Sequence, residues 1–222
     1  MPGAMRFIPY EWPGGHEQAL RIGPDDAPLV AIAPALFEEA NRTRAFTVQV
    51  MRRLAASGIA TLLPDLPGTG ESVVATSAAT LAGWRTAFAA AAAGAMATLA
   101  IRGGALVTTG VALPALQFVP VPGSALVRDM ERARRVAGHH AGIDDADPVE
   151  LAGNLLSRTL IAELRIAEPP PADRIVAVSA PGAPGPAIAG RPLWRSSEPS
   201  GDDVMAAALA AEVEEWMSSR VA

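Results

Sequence analysis

The sequence predicts an α/β fold, with an open, mostly parallel sheet and helices on both faces. Leu29–Ala33 and residues 59–63 are short, wholly apolar runs of the kind that a parallel strand needs when both its faces are buried. Between them, Phe46, Val50 and Leu54 recur at helical spacing. A strand, a helix and a second strand in so short a segment indicate a right-handed crossover, and therefore parallel neighbours.

The other elements follow in order. Helices are predicted over residues 44–56, 81–93, 124–137, 147–165 and from 202 onward, and strands over 5–10, 18–22, 95–101, 117–121 and 175–179. Glycines at 58 and 94 are expected to end the first two helices. In the last helix, the apolar side chains on one face are Met205, Leu209, Val213 and Trp216. A small helical cap insertion is expected near residues 124–168.

Composition excludes several classes of function. The chain has 222 residues, half of them hydrophobic, so residues 1–222 are expected to form a single domain with one substantial core. A net charge of −5 and a pI of about 5.2 argue against nucleic acid or an anionic membrane as the main partner. A small-molecule ligand or a protein partner is expected instead.

The absence of cysteine and of long apolar runs bears on location. Without cysteine there is no disulfide framework and no thiol nucleophile, and a cytoplasmic location is the expectation. The longest uncharged run, 103–127, contains three prolines, so it is not expected to span a membrane. The N-terminal residues lack an apolar core of signal-peptide length.

Three motifs carry a resemblance to a known family. They are Pro34-Ala-Leu-Phe-Glu-Glu-Ala-Asn-Arg-Thr-Arg44, Pro64-Asp-Leu-Pro-Gly-Thr-Gly-Glu-Ser72 and Gly190-Arg-Pro-Leu-Trp-Arg-Ser-Ser-Glu198. In this order they are similar to P-F-x-E-E-x-N-x-x-R, D-L-x-G-x-G-x-S and G-x-P-F-W-x-x-x-E of the type 2 hydrolases associated with the exosortase A system. The resemblance implies an α/β-hydrolase-like fold and a connection with exopolysaccharide and surface-protein sorting. It does not by itself imply catalysis.

Catalysis on this fold needs a nucleophile on a sharp strand-to-helix turn, the elbow, and then an acid and a histidine on later loops. Two registers are open for the elbow, with Arg102 or Ala112 at the nucleophile position. The Ala112 register leaves too few residues for a parallel crossover before the run 117–121, so Arg102 is preferred. The sequence at 102–106 also resembles the family's own G-x-R-x-G-A-L elbow. Neither residue can attack a carbonyl, since arginine stays protonated and alanine has no reactive group.

The partners of a nucleophile are also missing from their expected positions. The loop after the strand at 175–179 contains no carboxylate, and no histidine follows His140. His139 and His140 are expected at the surface after a helix end, and His16 near the first turn. Scattered histidines without cysteine do not favour a metal site. We therefore predict no catalytic residue, no metal and no cofactor.

Candidate binding residues cluster after the first parallel strand. The cluster comprises Glu38, Glu39, Asn41, Arg42 and Arg44. It lies at the carboxyl edge of the sheet, where ligands of open α/β folds bind. One interpretation is structural: a glutamate pairs with Arg102 across the would-be active site, because buried charges persist only when paired. The other is that this pair, with Arg42 or Arg44, presents a polar pocket to an anionic or sugar-like ligand.

Three further residues complete the candidate site. Asp65 and Ser72 flank a glycine turn that could bind phosphate through its amides. The turn lacks the lysine of a P-loop and the third glycine of a dinucleotide fingerprint, so a turn-forming role is favoured. Trp194 could cover a ligand, although a tryptophan near a C-terminal helix is more often part of the core.

Three hypotheses follow. The first is a non-catalytic α/β-hydrolase-fold protein that binds a ligand or partner in an exopolysaccharide or exosortase context. The alternative is an atypical ester or thioester hydrolase that recruits Ser72, Thr108 or Thr109. The third is a homodimer in which a second copy completes the sheet or the cap.

Overall fold

In the computed structural model, which describes residues 5–138, 147–179, 187–196 and 198–221, strands and helices alternate along the chain. The strands are β1 (Arg6–Trp12), β2 (Gly15–Ile22), β3 (Leu29–Ala33), β4 (Ala60–Pro64), β5 (Ala97–Ile101), β6 (Ala115–Phe118), β7 (Val149–Leu151), β8 (Asn154–Leu156), β9 (Arg174–Ser179) and β10 (Ala187–Ala189). The α-helices are α1 (Glu38–Ala56), α2 (Leu81–Ala91), α3 (Gly123–Val136), α4 (Arg158–Ile166) and α5 (Asp203–Val221). Short 3₁₀ helices cover Thr76–Ala78, Arg102–Val107 and Leu193–Arg195.

Eight strands form one sheet in the order β1-β2-β4-β3-β5-β6-β9-β10. β1 pairs antiparallel with β2, and β2 pairs antiparallel with β4. Every pairing from β4 across to β10 is parallel. The predicted first hairpin and the mostly parallel sheet are therefore confirmed, and β3 has the predicted bounds.

Helices cover both faces of this sheet, as predicted. Alternate residues of β3 point to opposite faces. Val30 and Ile32 belong to a core cluster with side chains of α1 and α5, whereas Ala31 and Ala33 belong to a cluster with side chains of α2, α3 and α4. Both faces of the central strands are thus buried, which explains why these strands are apolar throughout. No helix among the described residues combines the length and apolarity needed to cross a bilayer.

Helix α1 begins earlier than its apolar spacing predicts. It starts at Glu38 rather than at residue 44, because the polar segment 38–43 forms its first turns. Phe37, just before the helix, has φ 56°, so the chain turns sharply out of β3 into α1. The predicted C-terminal end is confirmed at Gly58, which has φ 80°, a conformation that glycine adopts without strain.

The segment between β6 and β9 differs from its prediction. The predicted helix at 147–165 is wrong in its first half, where β7 and β8 form a hairpin and only residues 158–166 are helical. A two-residue turn joins the strands, with φ 49° at Ala152 and φ 80° at Gly153. Ser157 then caps α4, its hydroxyl accepting the Leu160 N–H at 3.1 Å. That residues 124–168 act as a cap stays a prediction.

Candidate functional site

The chain turns sharply directly after the central strand β5. Arg102 has φ 54° and leads without a break into the 3₁₀ helix that ends at Val107. A non-glycine residue with left-handed backbone is uncommon and is found where the surrounding structure enforces it. The structure therefore places Arg102, and not the exposed Ala112, at the strand-to-helix turn.

The Arg102 side chain is buried and held on three sides. Its Nε and Nη2 donate to the two carboxylate oxygens of Glu39, at 3.1 and 2.9 Å. Its Nη1 donates to the Val119 carbonyl at 3.1 Å. The guanidinium lies 4.3 Å from the ring centroid of Trp194, which is a cation–π contact. The predicted pairing of Arg102 with Glu38 or Glu39 is thus made with Glu39, as a bidentate ion pair.

Arg42 and Glu38 stand beside this pair. Arg42 Nη1 donates to the backbone carbonyl of Trp194 at 3.0 Å, and its Nη2 lies 3.9 Å from Glu38. The 3₁₀ turn that carries Trp194 is thereby attached to helix α1. Five of the nine predicted site residues come together here, on α1, on the turn after β5 and on the turn after β10.

These five residues line a cleft of about 640 Å³, which we call the β5 cleft. Its apolar wall includes Leu36, Phe37, Leu126 and Met130. Its further charged residues are Asp129, Arg132 and Arg195. Four arginines therefore face three carboxylates, and the lining carries one net positive charge.

Asn41, Arg44 and Asp65 line a different cleft, of about 310 Å³, which we call the β4 cleft. Asp65 lies at the carboxyl end of β4 and is buried. Its Oδ1 is 3.5 Å from Arg44 Nη1, and its Oδ2 accepts the Glu71 N–H at 3.1 Å. The predicted set therefore divides between two clefts, with Leu36 and Phe37 bordering both.

Ser72 lines neither cleft. Its Oγ accepts the N–H groups of Gly68 and Val74, at 2.9 and 3.1 Å, and donates to Glu17 Oε1 at 2.9 Å. These contacts are those of a turn-forming residue, which is the role that the turn chemistry favoured.

Glu17 is a buried carboxylate that the sequence analysis missed. It lies on β2 and is only 3% exposed. Burial raises the pKa of Glu17, and the charge of Asp65 raises it further, against the opposing effects of the Ser72 hydrogen bond and of His16. Burial likewise raises the pKa of the Tyr10 hydroxyl, which donates to the Asp65 carbonyl at 2.7 Å. The sequence gives one indication of this burial, which is that Glu17 comes two residues before the apolar positions 19 and 20 of a strand.

Comparisons with known proteins bear on the fold. No known protein family and no curated protein matches the sequence, whereas many solved structures match the fold. Est1E from Butyrivibrio proteoclasticus, solved with ferulic acid bound, matches with a TM-score of 0.54 at 16% identity, over 78% of this chain and 78% of that chain. A hypothetical protein from Pseudomonas aeruginosa matches with a TM-score of 0.52 at 11% identity, over 80% of this chain and 77% of that chain. The fold is that of the α/β-hydrolases.

On the α/β-hydrolase fold, the turn after the central strand carries the nucleophile. Arg102 has this place and the backbone conformation of an elbow. The oxyanion donors of such folds come from the residue after the nucleophile and from the loop after β3. In this chain Gly103 follows Arg102, and a Cβ at Gly103 would meet Leu126 and Leu36, two residues that line the β5 cleft. The β5 cleft therefore lies at the turn after the central strand.

The three hydroxyls considered as nucleophiles are engaged elsewhere. Thr108 Oγ1 donates to the Ala105 carbonyl at 2.9 Å, and Thr109 Oγ1 donates to the Leu106 carbonyl at 3.2 Å. With Ser72 bonded to Glu17, none of the three donates to a histidine within the described residues. His16 is exposed on β2. His139, His140 and residues 180–186, where the sequence analysis expected a loop, lie outside the described residues.

Across the described ranges, no group of three or more His, Asp or Glu side chains is placed to hold a metal ion.

Proposed function

We propose that this protein is a catalytically degenerate α/β-hydrolase-fold protein that binds a small anionic ligand in the β5 cleft. The observation that carries the proposal is Arg102 at the elbow, paired with Glu39 and stacked on Trp194. An arginine remains protonated at any physiological pH and cannot serve as a nucleophile. A triad would also need a histidine and an acid on later loops, and the sequence supplies no histidine after His140.

The donors that Arg102 leaves unused support a binding role. A guanidinium has five N–H donors in a rigid fork. Glu39 and the Val119 carbonyl accept three of them in the described structure. Two N–H groups of a cation that is only 9% exposed therefore remain available to an oxygen atom of a ligand.

The charge of the cleft favours an anion over a neutral ligand. Glu39 neutralises Arg102, and Glu38 lies near Arg42. Asp129 is the remaining lining carboxylate, and it can balance the charge of one of the two other lining arginines, Arg132 and Arg195. A carboxylate that carries an apolar group would place its charge near these arginines and its apolar part against Leu126 and Met130. Planar bidentate recognition of carboxylate is the chemistry in which arginine is favoured.

A link to exopolysaccharide or exosortase systems is part of this proposal. Its support is the order of three motifs at 34–44, 64–72 and 190–198, of which the first and third contribute Glu38, Glu39, Arg42 and Trp194 to one cleft. Parts of two of the three motifs thus line the proposed site.

Catalysis is tested by hydrolysis of p-nitrophenyl acetate and butyrate and of a short acyl thioester. We expect wild type and Ser72→Ala to give equal rates, at the level of buffer. Turnover by wild type that Ser72→Ala abolishes would overturn the non-catalytic part of the proposal.

Binding is tested by titrating benzoate, glucuronate and inorganic phosphate against wild type, Arg195→Gln and Arg191→Gln. Arg195 lines the β5 cleft, whereas the exposed Arg191 does not and serves as the charge-matched control. We expect at least one anion to bind, with the affinity lowered in Arg195→Gln and unchanged in Arg191→Gln. Equal loss in both variants would show a general charge effect and refute a specific site.

A further inference from the structure

The β4 cleft has a different chemistry from the β5 cleft, and it lies on the other side of Phe37. It is formed by the first turns of α1 on one side and by the turn after β4 on the other. Phe37 packs against Trp84, with ring centroids 5.7 Å apart, and separates the two clefts. At about 310 Å³ its volume is at the low end for a ligand site, so it fits one small molecule.

The polar groups that face this cleft keep unused hydrogen-bonding capacity. Asp65 is 5% exposed, and its carboxylate offers about four acceptor sites, of which Glu71 N–H and Arg44 use two. Arg44 makes only its 3.5 Å contact with Asp65 among the described residues, and Asn41 is exposed on α1. Asn154 donates through Nδ2 to the carbonyls of residues 151 and 152, which leaves its Oδ1 as an acceptor.

The carboxylate of Asp65 is held in a fixed position. Gly70 has φ 55°, and a Cβ at this position would lie 2.3 Å from Asp65 Oδ1. The glycine therefore lets the turn close around the carboxylate, which accepts the next backbone N–H. A buried acceptor fixed by backbone contacts costs little entropy when it binds a ligand.

The lining of this cleft offers both donors and acceptors and carries no net charge. Arg44 and Asp65 cancel, and the asparagines are neutral. Each hydroxyl group on a sugar ring both donates and accepts a hydrogen bond. A guanidinium, a carboxylate or an amide has two adjacent polar atoms and can therefore bind two neighbouring hydroxyl groups at once. Phe37, which is half-buried where it lines the cleft, presents an apolar ring to the C–H face of such a ligand. We infer that the β4 cleft binds a neutral polyhydroxylated ligand, a monosaccharide unit, at a site separate from the β5 cleft.

The test uses saturation-transfer NMR and titration with glucose, galactose, mannose and N-acetylglucosamine, and with short oligomers of any sugar that binds. Free sugar and a chain end share the same hydroxyl chemistry, and the oligomer arm distinguishes them. We expect at least one sugar to bind and Arg44→Gln to weaken it about tenfold or more. Asn41→Ala, a change at an exposed helix position, is expected to weaken the binding of the same sugar.

Two controls keep this result distinct from the proposed function. Arg52→Gln changes an exposed arginine of the same helix that does not line the cleft, and Arg195→Gln changes the β5 cleft. Both are expected to bind the sugar like wild type. Absence of any sugar binding, or equal binding by wild type, Arg44→Gln and Asn41→Ala, would overturn the inference. Loss of sugar binding in Arg195→Gln would place the sugar in the β5 cleft and overturn it as well.

Discussion

The pair formed by Arg102 and Glu39 is the residue-level feature on which the site depends. Both side chains are nearly buried, at 10% and 13% exposure, so each charge relies on the other for its solvation. Removing one partner of a buried pair is costly, whereas replacing both with apolar groups is often neutral. The pair is therefore expected to contribute more to the specificity of the site than to net stability.

Glu39→Gln is expected to lower the free energy of unfolding by about 3–5 kcal/mol, because Arg102 would stay charged in a buried place without its carboxylate. The double variant Arg102→Met with Glu39→Leu is expected to lose less free energy of unfolding than Glu39→Gln alone, because it leaves no unpaired buried charge. Urea denaturation of the single and double variants measures this coupling. A double variant that loses as much stability as Glu39→Gln, or more, would contradict the account.

Glu17 provides a prediction about pH. Its pKa is raised by burial in the folded protein, so the folded state binds a proton more tightly than the unfolded state. The contribution of Glu17 to stability should therefore fall as the pH rises from about 4.3, the ordinary glutamate value, through the raised folded value. Glu17→Gln keeps an acceptor for Ser72 but cannot ionise, so it should be free of this loss.

The free energy of unfolding of Glu17→Gln is thus expected to increase relative to that of wild type as the pH rises. Urea denaturation of both proteins at several pH values measures this difference. Glu11→Gln, which removes one charge from the exposed face of β1, is the charge-matched control. A difference that stays constant with pH for Glu17→Gln would contradict the assignment.

At the scale of elements, the apolar residues spaced along α5 form the face by which this helix packs against the core. Leu209 is fully buried in the cluster that α5 shares with α1, whereas Val204 on the same helix is 78% exposed. Leu209→Ala is expected to cost about 2–5 kcal/mol, since it removes buried methyl groups and leaves a cavity. Val204→Ala is expected to stay within about 0.5 kcal/mol of wild type. Urea denaturation of the two variants checks this, and similar losses would show that the α5 face is wrongly assigned.

Elements with a strong local pattern were predictable, and those fixed by distant contacts were not. The buried strands β3 and β4 follow from their apolar runs and the apolar face of α5 from its helical spacing, whereas β5 was chosen between two registers by the length that a parallel crossover needs. The hairpin of β7 and β8 was missed because its capping signal resembles that of a helix start, and β10 because three residues carry little pattern.

The same division applies to the site. The Arg102 pairing was predictable, because a charge at a buried elbow requires a partner and the glutamates of α1 are the nearest along the sheet edge. The burial of Glu17 was not predictable, because it depends on how β2 pairs with β4, some 45 residues away in the sequence. The separation of Asn41, Arg44 and Asp65 into a second cleft depends on the position of Phe37, which no sequence pattern indicates.

For the whole molecule, the distribution of charge matters more than its total. The chain carries a net charge of −5, yet the lining of the β5 cleft has more arginines than carboxylates. A cleft of opposite sign to the rest of the surface concentrates the local field, so an anion is attracted there despite the overall repulsion. Binding of an anion in this cleft should therefore weaken with added salt, since the exposed arginines at its rim are screened.

The α/β-hydrolase scaffold also predicts what restoring one catalytic residue would do. Arg102→Ser would place a hydroxyl on a turn that already has the elbow conformation, with φ 54°. A serine without a histidine within reach is not activated, and the histidine of such a triad follows the last strands. The sequence has none after His140, so this variant is expected to hydrolyse p-nitrophenyl acetate no faster than wild type. Arg102→Ala loses the same ion pair and serves as the control, with circular dichroism to check that both variants fold. Faster hydrolysis by Arg102→Ser than by Arg102→Ala would reveal a base that acts at the elbow, and the protein would then be a hydrolase that lacks only its nucleophile.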